Sequence, residues 1–231
     1  MRIVLLHSPL LGPLTWREVA EHLGARGQIA QTPAWPRFST IARDFYGSLA
    51  SSLAATIDAT GDRPVVLVAH SGAGALVPAL MAAVRTPVLA AIFADAILPH
   101  PGSSWFDTAP PALGAQLRAG ANDGALPQWD LWWPPGALAR LVPDDALRAR
   151  LVGELEPIPA GFFEEPAPAA TLVGPAAYLQ LSSAYGDEAK VAGRYGWPVL
   201  SLPLHHLAAL THAEAVARGI ESLAIKLVGD V

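Results

Sequence analysis

The sequence predicts an α/β protein with a mostly parallel sheet of about six strands, helices on both faces and a helical insertion. Three observations lead there. Strand and helix patterns alternate along most of the 231 residues, an order that builds a parallel sheet covered by its own connections. The strand segments are short continuous apolar runs such as 65–69, as expected of strands buried on both faces. That run leads into Ser71, with Ala69 and Ala73 two positions to either side, and passes directly into a helical pattern.

The elements follow in chain order. Residues 3–6 read as the first strand. The opening apolar run breaks at His7 without a small-residue cleavage site, so it is read as core and not as a signal sequence. Thr15, with Glu18 three residues on, reads as a capping box opening a helix whose inward stripe is Val19 and Leu23. Residues 28–32 form a weaker strand bounded by Pro33 and Pro36. Ile41, Phe45, Leu49, Leu53 and Ile57 recur every four residues, with Ser39 as candidate cap. After 65–69 come a helix over 73–84 and a strand over 88–94.

Residues 98–175 interrupt the alternation and contain Trp105, Trp129, Trp132 and Trp133, four of the seven tryptophans. A structureless stretch of that length is unusual in a compact domain, so short helices are expected at 110–119, 135–141 and 144–155. The chain is thus read as one domain, 1–231, with 98–175 as a lid. A strand at 177–181, a helix at 188–195 and a strand at 199–202 resume the pattern. The final helix opens at Thr211 with Glu214 as its capping partner and buries Val216, Ile220, Leu223 and Leu227.

Composition narrows the functions. Apolar residues make up 52% and charged ones 15%, with a net charge of −5, which suits a compact domain and argues against a nucleic-acid partner. The absence of cysteine removes disulfides, thiolate metal sites and a Cys nucleophile. No apolar run approaches membrane-spanning length, so a cytoplasmic protein is expected. Gly72-Ala73-Gly74 lacks the Lys of a phosphate-binding loop, no dinucleotide fingerprint follows the first strand, and no cofactor is implied. His7, His70, His205 and Asp95 lack metal-motif spacing, so no metal is expected.

Ligands of open α/β sheets bind beyond the carboxyl ends of the strands. His7, Ser71, Asp95 and the pair His205-His206 fall at such ends. A serine hydroxyl is a poor nucleophile without a base in hydrogen-bond reach, and the base needs a third group to fix its tautomer. The chain order Ser, acid, His suits that chemistry, and Ala69-His70-Ser71-Gly72-Ala73 has the small-x-Ser-x-small form of a nucleophile elbow.

On these residues, together with Leu5-Leu6-His7-Ser8-Pro9 and its following Trp16, and the stretch from His206 to Ala213, the chain resembles the α/β-hydrolase fold superfamily. It is most similar to small single-domain members related to plant hydroxynitrile lyases and hormone methyl-esterases. The resemblance implies Ser71 as nucleophile and His206 as base, with His205 as its competitor. For the acid it leaves Asp95, a later carboxylate (Asp187 or Glu188), or none. One oxyanion donor is expected from the Gly72 N–H. The other belongs at Pro9, which has no N–H, leaving the Leu10 N–H or the Ser8 hydroxyl. Ser8, His70, Trp105, Trp129, Trp132 and Trp133 are candidate contacts to a small apolar substrate. The implied activity is hydrolysis of an ester, lactone or thioester through an acyl-enzyme. The alternatives are a lyase or cyclase using the same pair for proton transfer, and a non-catalytic ligand-binding protein; a homodimer is compatible with any of them.

Overall fold

The computed structural model of the chain describes residues 2–229. Strand β1 (Arg2–Leu6) leads through helix α1 (Arg17–Ala25) to β2 (Ile29–Gln31), and α2 (Phe45–Ala59) returns the chain to β3 (Val65–His70). Helix α3 (Val77–Ala83) then precedes β4 (Val88–Ala94). An insertion follows, with α4 (Trp105–Thr108), α5 (Pro111–Gly120), β5 (Ala125–Leu126), α6 (Ala137–Leu141), α7 (Asp145–Glu154), β6 (Ile158–Pro159) and α8 (Ala160–Glu164). The chain closes with β7 (Ala176–Gln180), α9 (Gly186–Arg194), β8 (Val199–Ser201), α10 (Ala208–Thr211) and α11 (Ala213–Val228). The main sheet has the order β2-β1-β3-β4-β7-β8, and β5 pairs with β6 separately. All pairings in the main sheet are parallel.

The alternation of strand side chains divides the core into two layers. Ile3, Leu5, Val66, Val68 and Ile92 pack against Val19 and Leu23 of α1 and Val216 and Ile220 of α11. Val4, Leu6, Val65, Leu67 and Phe93 pack against Leu49, Leu53 and Ile57 of α2 and Leu80 of α3. Each inner strand is therefore apolar on both sides, which is why β3 reads as an unbroken hydrophobic run.

Strand register sets the functional edge. Leu6 pairs with Ala69, His70 with Ala94, and Ala94 with Leu179. The residues just beyond these carboxyl ends, Ser8, Ser71, Asp95 and Ser182, consequently emerge at one rim of the sheet.

Several helix starts differ from the sequence reading. Thr15 caps nothing: Pro13–Trp16 forms a 3-10 turn, and Thr15 is buried inside it. Helix α2 begins at Phe45 and not near Ile41, because Phe38–Thr40 is a separate 3-10 turn. Its cap is Asp44, whose side chain accepts from the Gly47 N–H at 3.3 Å, in place of Ser39. The first amides of α2 donate to the Glu165 carboxylate, Phe45 and Tyr46 each at 2.9 Å. Thr211 does not open α11 either, since its hydroxyl is shared with His205 and His212. The three insertion helices lie where expected, whereas α4, α8 and the β5–β6 pair are too short to give a periodic signal.

Candidate active site

Ser71 follows β3 directly and has φ 55°, a left-handed conformation that costs a residue with a side chain about 1–2 kcal/mol. The turn is tolerated because its neighbours are small. Ala69 and Ala73 are fully buried, and a side chain on Gly74 would run into the Ile97 carbonyl. That close approach brings in the segment after β4, which the Ile97 N–H ties back to the Ser71 carbonyl at 3.1 Å. The Tyr178 hydroxyl donates to Ala96 O at 2.8 Å and fastens the same segment from β7. Sequence and packing thus fix two chain ends, 71 and 95, against each other.

Asp95 also has positive φ, 46°, and no solvent exposure. Its Oδ1 accepts from the Leu181 N–H at 2.8 Å and the Ser182 N–H at 2.9 Å. Its Oδ2 accepts from the Ser182 hydroxyl at 2.6 Å and from His206 Nδ1 at 2.9 Å. Burial pushes this carboxyl up, but the hydrogen bond and charge of His206, with Ser182 and Leu181, outweigh it and hold the group below the usual carboxylate range. Of the acids named from sequence, Asp95 is the one that meets His206. Asp187 is exposed and paired with Lys190 at 2.8 Å, and Glu188 has no hydrogen bond to the imidazole.

The bond to Asp95 places the proton of neutral His206 on Nδ1 and leaves Nε2 as an acceptor. Nε2 makes no hydrogen bond among the described residues. His205 is engaged elsewhere, with Nε2 2.9 Å from the Thr211 hydroxyl. His70, expected to touch substrate, is fully buried. Its Nε2–H donates to the His206 carbonyl at 3.0 Å and its ring stacks on the His206 ring at 4.6 Å, so it backs the imidazole. Burial, with the nearby His206, lowers its pKa to about 3.

Ser71 and His206 do not hydrogen-bond directly in this structure. The Ser71 hydroxyl shares a hydrogen bond of 3.3 Å with the Tyr185 hydroxyl, and the Tyr185 ring lies flat on His206, 4.8 Å between centroids and 9° between planes. Burial raises the Tyr185 pKa well above that of a free phenol, so Tyr185 remains an O–H. The sequence reading missed both Tyr185 and Ser182. Each lies in the short stretch just after β7, where a lone hydroxyl carries no motif.

The loop after β1 lies beside Gly72. A Cβ on Gly72 would sit 3.1 Å from Pro9 Cδ and 3.7 Å from Ser8 Oγ. Pro9 therefore packs on the expected oxyanion donor and offers none itself. The Leu10 N–H, the other backbone candidate, donates to Ser8 Oγ at 3.2 Å. His7 is buried behind the loop, its Nδ1–H donating to Ser8 O at 2.8 Å; burial lowers its pKa to about 4. A cavity of about 430 Å³ borders this loop, lined by His7, Pro9, Leu10, Trp35, Phe38 and Leu155 among others.

The tryptophans of the insertion mainly pack on each other. Trp105 meets Trp132 and Phe163, and Trp132 Nε1 donates to Pro127 O at 2.8 Å. Trp129 is buried, whereas Trp133 is 41% exposed and lines an outer groove with Leu131 and Leu138. Trp133 thus lies on the outer face of the insertion. Among the described residues no cluster of His, Asp or Glu could hold a metal ion, and no helix is long and apolar enough to cross a membrane.

No protein-family model and no curated protein sequence matches the chain. Solved structures do. An extracellular α/β-hydrolase from a Paenibacillus species superposes with TM-score 0.76 at 20% identity, covering 100% of both chains. Methylketone synthase I of tomato, complexed with 2-tridecanone, gives 0.74 at 15% identity and covers 98% of both. A methylesterase from Arabidopsis gives 0.71 at 15% identity, covering 98% of this chain and 100% of its own. The chain has the α/β-hydrolase fold. One neighbour being extracellular, the fold does not assign a compartment.

Proposed function

We propose that this α/β-hydrolase-fold protein is a serine hydrolase that cleaves an ester, lactone or thioester of a small apolar acid or alcohol. The observation that carries the reading is the Asp95–His206 hydrogen bond at 2.9 Å, set at the same sheet rim as a serine held at φ 55°. An exposed or unpaired imidazole would need no such buried carboxylate. Support at a coarser level comes from the neighbours, two of which are named as a hydrolase and a methylesterase.

In this reading Ser71 Oγ leaves Tyr185, whose ring is stacked on His206, and donates to His206 Nε2. Its oxygen attacks the substrate carbonyl carbon while its proton passes to His206 Nε2. Asp95 stabilises the resulting imidazolium through Nδ1–H, and the Gly72 N–H donates to the carbonyl oxygen as it becomes negative. Collapse of the tetrahedral species breaks the bond to the leaving alcohol, alkoxide or thiolate, which takes the proton from His206. Water then gives a proton to His206 and attacks the Ser71 ester. The second collapse releases the acid, returns the proton to Ser71 Oγ and restores the site. The neutral Tyr185 hydroxyl, next to Ser71, is placed to orient the leaving oxygen. The insertion serves as the roof that limits water.

A second reading is proton-transfer or elimination chemistry by the same pair. The observation favouring it is Pro9, which leaves the backbone oxyanion site one N–H short. Turnover separates the two. Purified protein should hydrolyse short-chain p-nitrophenyl esters, and Ser71→Ala should lower kcat by about three orders of magnitude or more. Unchanged hydrolysis in Ser71→Ala, or none in the wild type, would overturn the hydrolase reading.

A further inference from the structure

We propose that the Ser8 hydroxyl is the second oxyanion donor, taking the place of the backbone N–H that Pro9 cannot supply. The inference deepens the serine-hydrolase reading and rests on it.

The backbone alternatives are spent. Position 9 has no N–H, and the Leu10 N–H is committed to Ser8 Oγ at 3.2 Å. The Leu11 N–H is committed to Ser8 O at 3.0 Å. Ser8 itself is fully buried, and its Oγ lies 3.7 Å from where a Cβ on Gly72 would sit. It therefore stands next to the residue that supplies the first donor. Its oxygen is used as an acceptor from Leu10, which fixes one lone pair. Its proton has no acceptor among the described residues. A buried O–H without an acceptor is costly, and the cost is relieved when a negative oxygen forms beside it.

Binding a carbonyl gains little from such a donor, while the oxyanion gains most, so the interaction favours the transition state over the ground state. The chemistry balances simply. As Ser71 Oγ bonds to the carbonyl carbon, the π pair moves onto the carbonyl oxygen and the Ser71 proton moves to His206. Ser8 keeps its proton throughout and donates only a hydrogen bond. Leu10 N–H, by polarising the Ser8 hydroxyl, strengthens that donation.

The test uses Ser8→Cys and Ser8→Ala in the full chain, assayed with a short-chain p-nitrophenyl ester and a short alkyl trifluoromethyl ketone. Cysteine is slightly larger than serine and keeps a weak acceptor for Leu10, but it is a weak donor. The proposal expects kcat to fall roughly a hundredfold in both variants. KM should stay near wild type and trifluoromethyl ketone affinity should fall with kcat, while the melting temperature should fall more in Ser8→Ala, where the Leu10 N–H loses its acceptor, than in Ser8→Cys. Ser8→Ala/Pro9→Ala, which restores an N–H at position 9, should recover part of the loss. Should Ser8→Ala fail to fold, Ser8→Cys decides alone. A Ser8→Cys enzyme with wild-type kcat and ketone affinity overturns the Ser8 role while leaving the hydrolase reading intact. A wild type that turns over no ester overturns both.

Discussion

Asp95 is a carboxylate with no exposure that accepts from Leu181, Ser182 and His206. Its amide and hydroxyl partners fix its position, so His206 is the only partner whose charge changes during the proposed cycle. Asp95→Asn should keep much of the packing but present an N–H or a neutral oxygen to Nδ1, favouring the wrong tautomer. The expected result is a kcat lower by roughly 10³–10⁴ with KM little changed, measured with the same p-nitrophenyl ester. Activity within tenfold of wild type would remove Asp95 from the proposed triad. The residue scale was partly legible in the sequence. Ser71, Asp95 and His206 have reactive side chains at or soon after strand ends, whereas Tyr185 and Ser182 join them through contacts to residues 114 and 87 positions away. No local pattern announces such contacts.

Helices show the same division between local and distant causes. The apolar stripe of α2 at Leu49, Leu53 and Ile57 is fully buried, as four-residue recurrence predicts. Its start was not legible, because the Phe45 and Tyr46 amides are capped by Glu165, 120 and 119 residues further on. Glu165 thereby ties α8's end to the first turn of α2, where a carboxylate also meets the positive end of the helix dipole. Glu165→Ala should destabilise the protein by about 1–2 kcal/mol, read as a shift in urea midpoint. Glu165→Gln should retain part of the loss as an uncharged acceptor. No shift in either variant would contradict a capping role. In the same way Glu154 accepts from the Leu14 N–H at 2.9 Å, across a gap that a side chain on Gly12 would fill. The 3-10 turn before α1 therefore depends on α7 and not on Thr15.

At the scale of the whole molecule the fold was legible because burial on both sides of a parallel sheet forces apolar runs, and the helices between them keep their own period. The sheet order also explains why His7 and His70, following or ending adjacent strands, are enclosed. Burial lowers His7 to about 4 and His70 to about 3 from an ordinary 6.5. Both are neutral in the folded protein, while the unfolded chain takes up protons as pH falls below 6.5. Their contribution is thus complete above about pH 6.5 and is lost progressively down to about pH 4 for His7 and about 3 for His70. Each lowers stability by about 1.4 kcal/mol per pH unit within its window. Asp95, held low, acts in the same direction at still lower pH. Urea unfolding at about pH 7, 5.5 and 4.5 should show a steep decline, and His7→Asn should make it shallower, leaving the His70 share. Equal stability at all three would contradict the buried neutral histidines.

The most direct measurement of the proposed chemistry is the attachment site of a fluorophosphonate, located by peptide mass spectrometry on the intact, folded chain. One label per molecule is expected on Ser71, none in Ser71→Ala, and labelling slowed by orders of magnitude in His206→Ala. Labelling elsewhere, or equal rates with and without His206, would contradict it.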